Sequence, residues 1–362
     1  MLETDGTAGQ PAVKATISVP AAKPGLIRSL AHRLAGDPAE LPIEGRLASF
    51  DGATGWLNSE PLTPEGLRDR VVLVDFWTYT CINWIRTLPY VRAWAAKYAD
   101  AGLTVVGVHT PEFGFERDVD NIVAQSRGFG VEYPIAVDSD YAIWQAFSNH
   151  FWPAVYLADS QGRIRFHHYG EGEYAMTEMV IQQLLLEAGA QGIDQDLVVV
   201  EPRGLELAAD WGTLRSPETY LGYGQSTGFA SDDVAAFDRP HAYAARPGLA
   251  LNYWDLSGNW TVARHASILN EPGGRIAFQF RARDVNLVMG PASKGAAIPF
   301  RVYLDDGVAQ ATHGTDVDPD GRGIVNEQRT YQLIRQSGEI TDRRIEVEFL
   351  DSGVEAYCLT FG

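Results

Sequence analysis

The sequence predicts two domains, an α/β domain with helices on both faces of a mixed sheet and then an all-β sandwich or jelly roll. Three observations carry this. Across residues 41–192, apolar strand-like runs alternate with segments of helical period. From residue 216 onward that helical period is gone, and Gly and Pro punctuate short alternating runs. The 362 residues are also enough for two cores of ordinary size.

Residues 1–40, rich in Ala, Pro and Gly, read as a flexible arm with one short helix at 25–36. Residues 46–57 read as a hairpin closed by Asp51-Gly52, a two-residue turn signal. Pro64 opens a helical turn. Val71, Val72, Leu73 and Val74 then run into Asp75, Phe76 and Trp77, as a buried central strand does. After a polar turn, apolar residues recur at Ile82, Ile85, Leu88, Val91, Ala95 and Tyr98, one buried helix face. A strand at 103–108, a helix at 118–128, a strand at 133–137 and a helix capped by Asp138-Ser139 follow. A hairpin at 153–168 turns at 159–162, and a helix at 173–188 is stopped by Gly189.

Residues 193–215 read as a connector, with a strand at 197–200. In the second domain, 276–280, 300–304, 345–349 and 356–361 read as half-buried strands, a density that suggests an antiparallel sandwich.

Lys plus Arg is 29 against 47 Asp plus Glu, a net charge of −18 that repels phosphate backbones and argues against nucleic acid. No run approaches the roughly 20 apolar residues of a membrane helix. The N-terminus lacks the basic-then-apolar layout of a leader, so the sequence as given reads as cytoplasmic, or periplasmic if it is part of a longer chain. Two cysteines cannot make a disulfide framework.

Cys81 is the leading chemical candidate. It stands at a helix start, where unpaired N–H groups favour an anion, so the expectation is a lowered thiol pKa and a reachable thiolate. Here the sequence resembles the thioredoxin superfamily, and more closely the bacterial DipZ/TlpA-type redoxins, whose motif reads FWTY-x-CINC followed by LP. This chain has FWTYTCIN and then Trp84, with Asp75 six residues before Cys81 and Pro89 eight after it. The second cysteine is absent, and an indole cannot resolve a mixed disulfide. The resemblance therefore implies a thiol redox protein with one nucleophile. That nucleophile would serve monothiol disulfide exchange or thiol-dependent antioxidant chemistry, completed by an external thiol or a reductant of thioredoxin or glutathione type. Protein disulfides and peroxides are the substrate classes. Thr78 before Cys81 is like the threonine of peroxiredoxins, but Val74 stands where their proline would be.

The resemblance also gives roles to other residues. Asp75 would be the buried acid, with its pKa raised by desolvation. Pro153 would be a cis proline that, with Trp152, meets substrate backbone. Trp77 and Trp84 would wall the site. His109 and Glu112 follow a strand at the sheet's carboxyl edge, where ligands of α/β folds collect, and His109 could serve as base. His150, His167 and His168 lack zinc-site spacing. No cofactor is implied. Asp316, Asp318, Asp320, Gly321 and Glu327 fit a calcium-loop pattern, but strand-like flanks favour an acidic turn.

Cys358 alternates with Val354, Ala356 and Thr360, which suits a core position; the sharper alternative is a bridge to Cys81. The second domain resembles the DipZ C-terminal domain through Tyr220-Leu221-Gly222-Tyr223-Gly224 and residues 350–357, a module like a carbohydrate-binding fold. This leaves a second reading, a non-catalytic scaffold whose sandwich recognises a glycan or protein. Tyr253, Trp254 and Trp260 as one exposed strip would favour it.

Overall fold

The computed structural model describes residues 41–231, 236–305 and 307–362, so the expected arm and its short helix lie outside the described residues. By internal packing the chain falls into two units. One runs through Thr78 and takes in Tyr90–Pro111 and Gly130–Val199; the other comprises Tyr79–Pro89, Glu112–Phe129 and Val200–Gly362.

The first unit is built on a seven-stranded sheet. Its strands are β1 (Gly45–Arg46), β2 (Gly55–Leu57), β3 (Val71–Trp77), β4 (Leu103–His109), β5 (Ile135–Val137), β6 (Ala154–Ala158) and β7 (Arg163–Tyr169), in the order β1-β7-β6-β3-β4-β5-β2. Every residue of β3 is buried, because it lies between parallel β4 and antiparallel β6 with both faces covered. Val72, Val74 and Phe76 face one way, into a core shared with Ile143 and Trp144 of a short helix.

The helices are α1 (Ile82–Tyr98), α2 (Val119–Gly128), α3 (Ala142–Ala146) and α4 (Tyr174–Glu187). Asp138 accepts from the N–H groups of Ile143 and Trp144, each at 2.9 Å, and so caps α3. Helix α4 lies against β3, and its Glu178 accepts from Trp94 and Tyr98 at 3.1 and 2.7 Å.

The expected hairpin at 46–57 does not form. β1 pairs with β7 and β2 pairs with β5, at opposite edges of the sheet. A two-stranded ribbon alone is marginal in water. Adding each short strand to an existing edge lets Leu47 and Phe50, between them, join the core. The strand expected at 197–200 is also absent.

The second unit is one antiparallel sheet curled on itself. Its strands are β8 (Thr219–Tyr220), β9 (His241–Tyr243), β10 (Trp254–Val262), β11 (Ser267–Leu269), β12 (Arg275–Phe280), β13 (Asp284–Pro291), β14 (Ile298–Leu304), β15 (Gly307–Val308), β16 (Arg322–Val325), β17 (Arg329–Arg335), β18 (Arg343–Phe349) and β19 (Val354–Phe361). The main path runs β15-β14-β18-β12-β10-β11-β19-β13-β17. β10 belongs to both halves, since Trp254–Ser257 pairs with β12 and Trp260–Val262 pairs with β11. The switch from one partner to the other falls at Gly258, where φ is +96° and a Cβ would sit 2.8 Å from the Cα of Gly274.

The curl encloses Leu256, Phe278, Leu287, Phe300, Leu333 and Leu359. Trp254 and Trp260 are wholly inside this core as well, leaving only Tyr253 exposed at 47%, so no aromatic strip forms. The acidic turn is occupied by its own chain. Asp316 accepts from Arg329 and from the Gln332 N–H, each at 2.8 Å, Asp318 from the Arg322 N–H at 2.8 Å, and Asp320 pairs with Arg322.

Successive strand residues alternate in direction, so half of β13, β17 and β19 faces away from that core. Asn286, Val288, Thr330, Gln332, Cys358 and Thr360 are nevertheless buried. The segments Tyr79–Pro89 and Glu112–Phe129 are what this second unit adds there. Phe113 and Phe115 cluster with Val288, Tyr357 and Cys358. The Arg86 guanidinium donates to the Phe361 carbonyl at 3.0 Å.

Candidate functional site

Cys81 directly precedes α1 and is half-buried. The Asn83 and Trp84 N–H groups hydrogen-bond its sulfur and favour the thiolate, as a helix start should. They do not prevail. Burial, followed by the charges of Glu112 and Glu218, pushes the thiol well above its ordinary range. The lowered pKa expected from sequence is thus corrected, because two carboxylates stand beside a desolvated sulfur.

The surroundings of Cys81 are a connected polar cluster. Thr80 donates through its hydroxyl to Glu116 at 2.6 Å, and its carbonyl accepts from the Thr330 hydroxyl at 2.8 Å. The second Glu116 oxygen accepts from the N–H groups of Glu112 and Phe113 at 2.6 and 2.8 Å. Glu112 accepts a hydrogen bond from the Tyr220 hydroxyl, which also lies 3.4 Å from Glu218. Glu218 in turn interacts with the Cys358 thiol. Burial pushes both carboxyls up, and Glu112, repelled also by Glu218 and Glu116, rises most strongly. Cys358 is raised by the same causes as Cys81, burial first and then Glu218 and Glu112.

Trp84, which the sequence placed as a wall beside the thiol, is fully buried and meets Phe129 edge-on with ring centroids 5.7 Å apart. It offers no surface to a substrate.

Asp75, Trp77, His109, Trp152 and Pro153 belong to the first unit. Asp75, Trp77 and His109 are each 0% exposed. Tyr133 donates to Asp75 at 3.5 Å, and burial together with the Asp75 charge pushes the Tyr133 hydroxyl up. His109 meets the Trp77 ring edge-on at 4.8 Å, and burial pushes its pKa down to about 3, so it is neutral at physiological pH. Gly107 stands between these groups, where a Cβ would come within 2.8 Å of Trp77 Nε1. The Trp152–Pro153 bond is cis, and the Trp152 indole donates to the Thr110 carbonyl at 3.1 Å.

Of the residues expected around the Cys81 thiol, Trp84 and Glu112 fall with it in the second unit. Nothing local in the sequence marks Glu116, Glu218 or Thr330, whereas Tyr220 begins the run Tyr220-Leu221-Gly222-Tyr223-Gly224. Among the described residues no three His, Cys, Asp or Glu side chains converge as metal ligands. No helix among them is long and apolar enough to cross a membrane.

Residues 216–362 match a family described as the thioredoxin-like C-terminal domain. Protein DipZ of Mycobacterium bovis and of Mycobacterium tuberculosis are each 37% identical over 262 residues, 70% of this chain and 36% of theirs. The chain therefore spans about a third of the length of these relatives. The thiol-disulfide oxidoreductase YkuV of Bacillus subtilis is 32% identical over 141 residues, 39% of this chain and 95% of that protein. The solution structure of a thioredoxin-like protein in its oxidised form is 31% identical, covering 41% of this chain and 99% of that one, with a TM-score of 0.38.

Proposed function

Because the chain belongs to the thioredoxin-like thiol-disulfide oxidoreductase family, we propose that it is a thiol redox protein in which Cys81 is the exchanging nucleophile. The observation that carries this reading is the placement of Cys81. It is a half-buried thiol at the start of α1, hydrogen-bonded by helix N–H groups and flanked by a carboxyl pair able to take its proton. The substrate class is a disulfide, with peroxide as the alternative oxidant, and an external thiol of thioredoxin or glutathione type restores the reduced protein. Asp75, Trp77, His109 and Trp84 are assigned to support, in keeping with their full burial.

An aromatic disulfide that releases a coloured thiolate tests the assignment. Folded wild type should release it in proportion to protein, and Cys81→Ser should not. Release that survives Cys81→Ser, or none from wild type until it is unfolded, would overturn it.

A further inference from the structure

Position 84 holds no second thiol, but the cluster around Cys81 does. Thr330, Val288, Cys358 and Tyr220 are successive partners across four strands, because Val288 pairs with Thr330 on β17 and with Cys358 on β19, and Cys358 pairs with Tyr220 on β8. Side chains directly opposite one another in such a row share one face. At one end of the row the Thr330 hydroxyl holds the carbonyl of Thr80, the residue before Cys81. At the other end the Tyr220 hydroxyl holds Glu112. Cys358 lies between these two anchors, with strands about 4.8 Å apart. It touches Glu218, and both thiols feel the same two carboxylates.

We propose that Cys358 is the resolving thiol for Cys81, standing in for the partner that position 84 lacks. This rests on the reading of Cys81 as an exchanging thiol. In the first step Cys81 passes its proton to Glu112 and its sulfur attacks a substrate disulfide RS–SR′. The S–S bond of the substrate breaks, the Cys81–SR bond forms, and R′S⁻ leaves to be protonated. In the second step Cys358 passes its proton to Glu218 and attacks the Cys81 sulfur. The Cys81–SR bond breaks, the Cys81–Cys358 bond forms, and RS⁻ leaves with a proton from the carboxyl pair. The substrate gains two electrons and the two cysteines lose them. An external dithiol reverses the last bond. Closure brings the two Cα atoms within about 7 Å.

Intact-mass spectrometry of the full chain with oxidised glutathione tests this without depending on any one variant. Wild type should lose two hydrogens, carry no lasting glutathione, and yield a Cys81–Cys358 cross-linked peptide on non-reducing digestion. Cys358→Ala and Cys358→Ser should instead accumulate one glutathione on Cys81, at least tenfold more than wild type. A wild type that accumulates the adduct as those variants do would overturn the resolving role while leaving Cys81 as exchanger. Variants and wild type that both take up no glutathione would overturn the exchanger itself.

Discussion

The Tyr220 hydroxyl donates to the Glu112 carboxylate across 108 residues of sequence, and so fixes the acid that faces the Cys81 thiol. Tyr220→Phe removes that donor and leaves a half-buried carboxylate short of one partner. The expected cost is about 1–3 kcal/mol, read by urea unfolding. The loss also raises the Glu112 pKa further, because the hydroxyl's hydrogen bond lowers it.

Glu112→Gln acts on the thiol directly. It deletes the larger of the two charges that oppose the thiolate, so the Cys81 pKa falls. Thiolate absorbance near 240 nm, in a Cys358→Ala background, reads this directly. An unmoved titration would remove Glu112 from the thiol's surroundings.

The carboxyl pair also sets a pH dependence for stability. Glu112 and Glu218 are raised in the folded state, so the folded protein holds protons that the unfolded chain releases. Their contribution is complete below the unfolded carboxylate pKa, about 4.3, and fades as pH rises through the folded values. Glu218→Gln should therefore raise the melting temperature near neutral pH by a few degrees, about 1 kcal/mol of stability, with the gain vanishing toward pH 4.

His109 imposes the reverse slope. Its folded pKa is lowered to about 3, so the unfolded chain binds the proton first. Its contribution is complete above about pH 6.5 and is lost as pH falls toward the folded value, at roughly 1.4 kcal/mol per pH unit. His109→Gln should flatten urea-unfolding stability between pH 6.5 and 5. An unchanged slope would show the ring protonates in place.

Trp84→Cys restores a Cys-x-x-Cys spacing but removes a fully buried indole from Phe129. The expected result is a loss of about 3–5 kcal/mol in stability with a gain in insulin reduction under a dithiol. Gain without destabilisation would mean the indole contributes little to packing.

Much of this was legible along the chain. The run of four apolar residues before Asp75 marked β3, and residues spaced by three and four from Ile82 marked α1, because both patterns record burial of one local face. Asp51-Gly52 misled because a turn signal fixes only the turn. Whether the flanking residues pair with each other or with other edges depends on which strands wait there.

By itself, then, the sequence determined the alternation of strands and helices from β3 to α4, the placement of Cys81 at a helix start and the missing thiol at position 84. Those are matters of local period and covalent position. Only the tertiary structure decided that Glu112 and Glu218, linked through Tyr220, would stand beside that thiol and with burial push its pKa up. Charge and desolvation act through space between residues far apart in the chain, and no local pattern records them.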